Sequence, residues 1–234
     1  MPVGLVTNVG SLFLGGLLGG ILGKRFSPSM KQMLNNVFGI CAIAIGINLI
    51  VKMDTLAVVV LSVVLGTIAG ELLGLESKVS SLVSKSVPIL LKDQKVDAAF
   101  VSSFCAVAIL FCCSGTGWYG VLSEGFTGDS SLLLAKSVLD FFTAVIFAAV
   151  LGRMVAGLAI PQMAIYLVLI TLSRLIVPVI TPRMLADFSA VGGIIEISTG
   201  LRISGINRET RVLNMIPAML LVFPINALWV LLLG

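Results

Sequence analysis

Lys136 and Asp140 stand four positions apart in the run LLLAKSVLDFF, inside an otherwise apolar stretch. On a helix that spacing puts both on one face. An ammonium and a carboxylate so placed can close on each other as an ion pair, or can line a path for a polar solute. Two further charges, Glu196 and Arg174, lie inside apolar stretches. Glu196 could bind a cation or proton, or could pair with Arg174 or Lys136. Upstream, FCCSGTGWYG places Ser114, Gly115, Thr116 and Gly117 in an apolar segment, where glycine costs a helix about 1 kcal/mol relative to alanine. This stretch is expected to unwind and offer hydroxyls and main-chain groups; an ordinary helix end followed by an outer glycine-rich loop is the plainer alternative. Asn214, one turn before Pro217, adds a polar group near a potential kink. The chain has no histidine, which removes imidazole from acid–base and metal chemistry. Ser137 adjoins Lys136 in sequence, which puts the two on different helix faces. No nucleophile–base pair results, and no enzyme, cofactor or metal site is expected.

The elements that must position these residues are membrane helices. The chain is 58% hydrophobic and only 11% charged, where soluble domains carry about 25%. About 20 apolar residues span a bilayer. Eight candidates occur, at 4–23, 34–51, 55–74, 98–118, 131–152, 155–177, 187–204 and 212–233. The expected fold is an all-α, polytopic transmembrane bundle, since only internally bonded backbone is stable in lipid. A charge at the centre of a span costs about 2.5–3.5 kcal/mol on insertion scales. Asp140 lies roughly 14 Å into its span, near the middle of a core about 30 Å thick. It therefore needs a partner or a wet cavity, whereas Lys136 can partly snorkel outward.

Eleven basic residues fall in loops on one side, including Lys24, Arg25, Lys78, Lys85, Arg202 and Arg211. The other side has Lys52 and Arg183. This asymmetry makes the first side cytoplasmic and puts both termini outside. The net charge of +4 thus reads as topology, not nucleic-acid binding. Trp118, Tyr119 and Trp229 fall near outer span ends, where amphipathic rings settle. Cys41, Cys105, Cys112 and Cys113 all lie within spans and read as small packing residues.

Residues 27–46 and 181–200 align at an offset of 154, sharing Pro28/Pro182, Met30/Met184, Val37/Val191, Gly39/Gly193, Ile40/Ile194, Ile43/Ile197 and Gly46/Gly200. The second copy starts an odd number of spans after the first, so the two are inverted. Spans 1–3 would then repeat as spans 6–8, a design recurrent in transporters. The chain divides accordingly into a first repeat (1–74), a cytoplasmic amphipathic loop (75–97), central spans with a glycine-rich outer loop (98–153) and a second repeat (154–234). In the amphipathic loop Leu75, Val79, Leu82 and Val83 recur at helical spacing between lysines, as in a helix lying on the membrane surface. Pro88 is expected to break or bend it. In span 1, Gly15, Gly16, Gly19, Gly20 and Gly23 form two interleaved G-x-x-x-G registers, suited to close helix packing within a subunit or across a dimer.

The run FCCSGTGWYGVLSEGFTGDSSLLLAKSVLDFFTAVIFAAVLG resembles the central signature of the YqgA/YdfK-like bacterial membrane proteins, the domain-of-unknown-function 554 family. The match falls on Phe111, Cys112, Gly115, Gly125, Thr127, Gly128, Asp129, Lys136, Ser137 and Asp140. It extends to Lys24-Arg25, Val191-Gly192-Gly193, Gly200 and Asn214-x-x-Pro217, so it covers nearly the whole chain. The resemblance implies a bacterial cytoplasmic-membrane protein and supplies no substrate. Glu196 departs from it, where an apolar residue is expected, which favours Lys136 and Asp140 as the charged determinants.

Together these features lead us to expect a small transporter or channel for a polar or ionic solute. It would be solvated by the bilayer, homo-oligomeric, and without nucleic-acid partners. Asp140, Lys136, Ser137, Glu196, Asn214 and the Ser114–Gly117 stretch are the candidate binding residues. The rival is a non-transporting scaffold, assembly or regulatory protein in which Lys136 and Asp140 form a closed structural pair.

Overall fold

A computed structural model describes residues 2–22, 27–90, 98–112, 114–176, 180–207 and 209–233. Among these residues the regular structure is entirely helical. The order is α1 (Val3–Leu22), α2 (Pro28–Ile50), α3 (Leu56–Leu73), α4 (Leu75–Leu90), α5 (Ala98–Cys112), α6 (Gly115–Thr127), α7 (Ser131–Leu151), α8 (Met154–Gly157), α9 (Ala159–Ile176), α10 (Pro182–Ile203), a 3-10 turn (Val212–Met215) and α11 (Pro217–Leu233). Six stretches are long and apolar enough to cross a bilayer: α1, α3, α7, Met154–Arg174, α10 and Val212–Leu232. The apolar part of α2, Asn36–Ile50, is shorter. The fourth expected span is two helices, α5 and α6.

The helices gather into two compact units, one of residues 1–35 and 77–173, the other of 36–76 and 174–234. The division cuts across the segments drawn from the sequence. The first unit takes α1 and most of α9; the second takes most of α2 and all of α3, α10 and α11.

In the first unit α1 runs parallel to α7. Gly15 and Gly19 rest on the carbonyls of Phe141 and Val145, while Gly16 and Gly20 face Ala156 and Arg153. A methyl at any of the four would overlap these neighbours, so each G-x-x-x-G register serves a different partner inside the subunit. Gly23 lies outside the described residues. At the start of α1, Glu124 of α6 accepts the main-chain N–H groups of Gly4 (2.8 Å) and Leu5 (3.0 Å). Ser130 donates to the same carboxylate at 2.6 Å. First-turn N–H groups lack partners within their own helix, and a carboxylate there also meets the positive end of the helix dipole.

In the second unit α3 packs on the 3-10 turn and α11, with Gly66 against Ala218 and Gly70 against Asn214. Helices α2 and α10 cross antiparallel through four glycines. A methyl on Gly39 would lie 2.7 Å from the Gly200 carbonyl oxygen, and one on Gly46 would lie 2.6 Å from that of Gly193. Asp187 accepts the N–H groups of Asp54 (3.0 Å) and Thr55 (2.8 Å), capping α3 from across the unit. Ion pairs join Arg183 to Asp54 (2.6 Å), Arg202 to Glu76 (2.8 Å) and Arg211 to Glu71 (2.7 Å).

Helix α4 leaves Leu82, Lys78 and Lys85 exposed. It continues through Pro88 to Leu90, so of the break or bend expected there the break does not occur. The proline falls in the last turn, where its missing N–H removes one helical bond and little follows it.

Candidate polar site in the first unit

Helices α5 and α6 meet at a break. Ser114 leaves helical geometry, with φ −66° and ψ 131°, and its Oγ accepts the Gly117 N–H at 3.4 Å. The Trp118 indole Nε1 donates to the Cys112 carbonyl at 3.0 Å, satisfying the end of α5. The expectation that residues 114–117 unwind is therefore corrected. Only the junction departs from helix, and Gly115, Thr116 and Gly117 form the first turn of α6. The outer glycine-rich loop is also helical as far as Thr127. Trp118 serves as a cap, and Tyr119 is buried.

Against this break lies a chain of buried polar side chains from three helices. Lys136 Nζ is ion-paired with Asp140 Oδ2. Asn8 Nδ2 donates to the same oxygen at 2.9 Å. Gln162 Nε2 donates to Asn8 Oδ1 (3.3 Å), to the Phe111 carbonyl (3.1 Å) and to the Tyr166 hydroxyl (3.4 Å). Lys136 and Asp140 are 4% and 7% exposed; Asn8, Gln162 and Tyr166 are 0% exposed. Gly117 brings α6 into this group. A methyl there would overlap the Tyr166 hydroxyl and come within 3.2 Å of Lys136 Cε.

The local charge pattern follows from these positions. The negative end of α5, the positive end of α6, one ammonium and one carboxylate share a small buried volume. At 1.5 Å per residue the break lies about 20 Å from the Thr127 end of α6, and Asp140 about 14 Å from the Ser131 end of α7. Some polar capacity is left over. Gln162 Oε1 has no hydrogen-bond partner among the described residues. Both hydrogen bonds to Asp140 fall on Oδ2.

Not all the residues expected from sequence gather here. Asp140, Lys136, Ser114, Gly115, Thr116 and Gly117 do. Ser137 is buried beside them but donates to the Leu133 carbonyl of its own helix at 2.6 Å. Asn214 belongs to the second unit, where its Oδ1 accepts the Glu76 N–H at 2.8 Å and caps α4. Glu196 is buried in α10 of the second unit. Asn8, Gln162, Tyr166 and Glu124 are not among the site residues put forward from the sequence. The repeat offset alone would have flagged the first two, because 8 and 162 differ by 154.

Residues 3–227 match a family described as "Protein of unknown function (DUF554)". The chain is 43% identical over 231 residues to the "Uncharacterized protein YqgA" of Escherichia coli (strain K12), covering 98% of both. It is 27% identical over 228 residues to the "Uncharacterized membrane protein YdfK" of Bacillus subtilis (strain 168), covering 93% of both. No solved structure matches. The chain belongs to the DUF554 family.

Proposed function

We propose that this DUF554 family member is a transporter or channel for a small polar or ionic solute, with its site at the break between α5 and α6. The observation that carries the reading is the convergence of Lys136, Asp140, Asn8, Gln162 and Tyr166 on a discontinuous helix. Broken helices next to intramembrane charge are where transporters hold ions and solutes.

An eight-crossing topology goes with this reading. α5 and α6 together make one crossing, and α2 makes another beside the six long stretches. The inverted repeat draws support from two contacts. Asn8 and Gln162, equivalent at the offset of 154, hydrogen-bond to each other. Gly39/Gly193 and Gly46/Gly200, also equivalent, meet reciprocally where α2 crosses α10. Contacts between equivalent residues are what an inverted repeat would produce within each unit, and transporter sites commonly lie at repeat interfaces. The basic-residue asymmetry supports a bacterial cytoplasmic membrane with both termini outside.

The scaffold reading is favoured by one observation: Lys136 and Asp140 are closed on each other and buried. A purely structural network, however, is expected to satisfy its polar atoms, and Gln162 Oε1 is left without a partner. The test is reconstitution in proteoliposomes with a screen of ions and small metabolites, wild type against Asp140→Asn.

A further inference from the structure

We propose that the solute taken at the α5–α6 break is small and uncharged, and both donates and accepts hydrogen bonds, as urea, simple carboxamides and small polyols do. This names the substrate class of the transporter reading above and rests on it.

The direction of the hydrogen bonds fixes what the network leaves over. The Asp140 carboxylate accepts, so Asn8 must turn its amino group toward it, and Nδ2 donates to Oδ2 at 2.9 Å. Asn8 Oδ1 is thereby left as an acceptor facing Gln162. Gln162 Nε2 donates to it at 3.3 Å and to the Phe111 carbonyl at 3.1 Å. Both of these neighbours accept only, so the Gln162 carboxamide has one orientation. A chain that starts on a carboxylate and passes through two carboxamides ends on an oxygen. That oxygen is Gln162 Oε1, buried and without a hydrogen-bond partner among the described residues. Asp140 Oδ1 is a second spare acceptor, because both bonds to the carboxylate fall on Oδ2. The Asp140 side chain also keeps 10% of its surface exposed. The Lys136 ammonium carries three N–H donors and meets only Asp140 among the described residues. A guest that completes the group gives hydrogen bonds to these oxygens and takes one from the ammonium.

Charge excludes an ion from that role. Lys136 and Asp140 sum to zero and are both buried. A cation or an anion set beside them would be a buried charge without a counter-charge, which is strongly unfavourable. Among the described residues of this unit the third buried charge is Glu124, and it is spent on Gly4, Leu5 and Ser130. An uncharged guest leaves the pair closed and every charge where it is. Packing keeps the guest small. A single methyl at Gly117 would already overlap the Tyr166 hydroxyl and come within 3.2 Å of Lys136 Cε.

The experiment follows swelling of proteoliposomes containing the purified full chain by light scattering, against protein-free vesicles. The probes are urea, glycerol, propionamide and N,N-dimethylformamide, with sodium chloride and glycine as charged and zwitterionic controls. Propionamide and N,N-dimethylformamide are isomers, but the second has no N–H. At least one of the first three should enter faster than into protein-free vesicles, and N,N-dimethylformamide should not. Gln162→Leu should slow that entry by on the order of tenfold, the loss of one buried hydrogen bond. If that variant does not fold, the comparison of solutes in wild type decides alone. Equal protein-dependent entry of N,N-dimethylformamide, or undiminished entry through folded Gln162→Leu, overturns the proposal. If an ion or glycine moves in an Asp140-dependent way and the uncharged probes do not, the proposal falls and the transporter reading stands. If no solute moves, both fall.

Discussion

Gln162 Nε2 lies 3.3 Å from Asn8 Oδ1, and the two residues are separated by 154 positions, the same interval that superposes the repeated segments. Asn8 also donates to Asp140, so this one side chain ties α9 to the carboxylate of α7.

Asn8 and Gln162 should therefore be energetically coupled. In a cycle of Asn8→Leu, Gln162→Leu and the double variant, we expect an interaction of about 0.6–1.7 kcal/mol, the range for hydrogen bonds between membrane helices. Unfolding in mixed micelles reads it. Strict additivity would mean that the bond contributes nothing.

The glycines of α1 are not interchangeable. Gly19→Ala places a methyl on the Val145 main chain, whereas nothing lies within 4 Å of a methyl at Gly10. Overpacking should cost Gly19→Ala about 1–3 kcal/mol. Gly10→Ala should be neutral or stabilising by up to about 1 kcal/mol through helix propensity. Thermal unfolding in one detergent compares them directly.

At the α2–α10 crossing, Gly46→Ala and Gly193→Ala each push the same two backbones apart, since each glycine meets the other's carbonyl oxygen. Once one methyl has separated the helices, the second has less to displace. The double variant should cost less than the sum of the singles, a coupling of about 0.5 kcal/mol or more. Full additivity would contradict the reciprocal contact.

Glu124→Gln should loosen the first turn of α1. The neutral amide keeps one acceptor and turns an N–H toward main-chain N–H groups that now meet a carboxylate. The expected loss is about 1–3 kcal/mol, the range for hydrogen bonds to charged groups. Hydrogen exchange should speed up at the Gly4 and Leu5 amides before the rest of α1.

Much of this was legible in the chain, for physical reasons. Apolar runs mark bilayer helices because lipid forbids unsatisfied backbone, and all eight expected stretches contain helix. The Lys136–Asp140 pair follows from helical spacing. Glycine content located the break near residue 114, but the capping roles of Ser114 and Trp118 decided its extent, and they shortened it. Glu124 and Asp187 were not singled out because their partners lie 120 and 133 residues away. Such bonds leave no local periodicity. Asn214 looked like a kink-site ligand because Pro217 follows, yet its partner is the first turn of α4.

The most direct test remains flux through reconstituted protein, wild type against Asp140→Asn, with folding verified in both. The account predicts a solute whose movement is present in wild type and lost when the carboxylate becomes an amide. Undiminished flux in folded Asp140→Asn protein would contradict the placement of the site. Stability loss with no flux to lose would identify the buried pair as a structural lock.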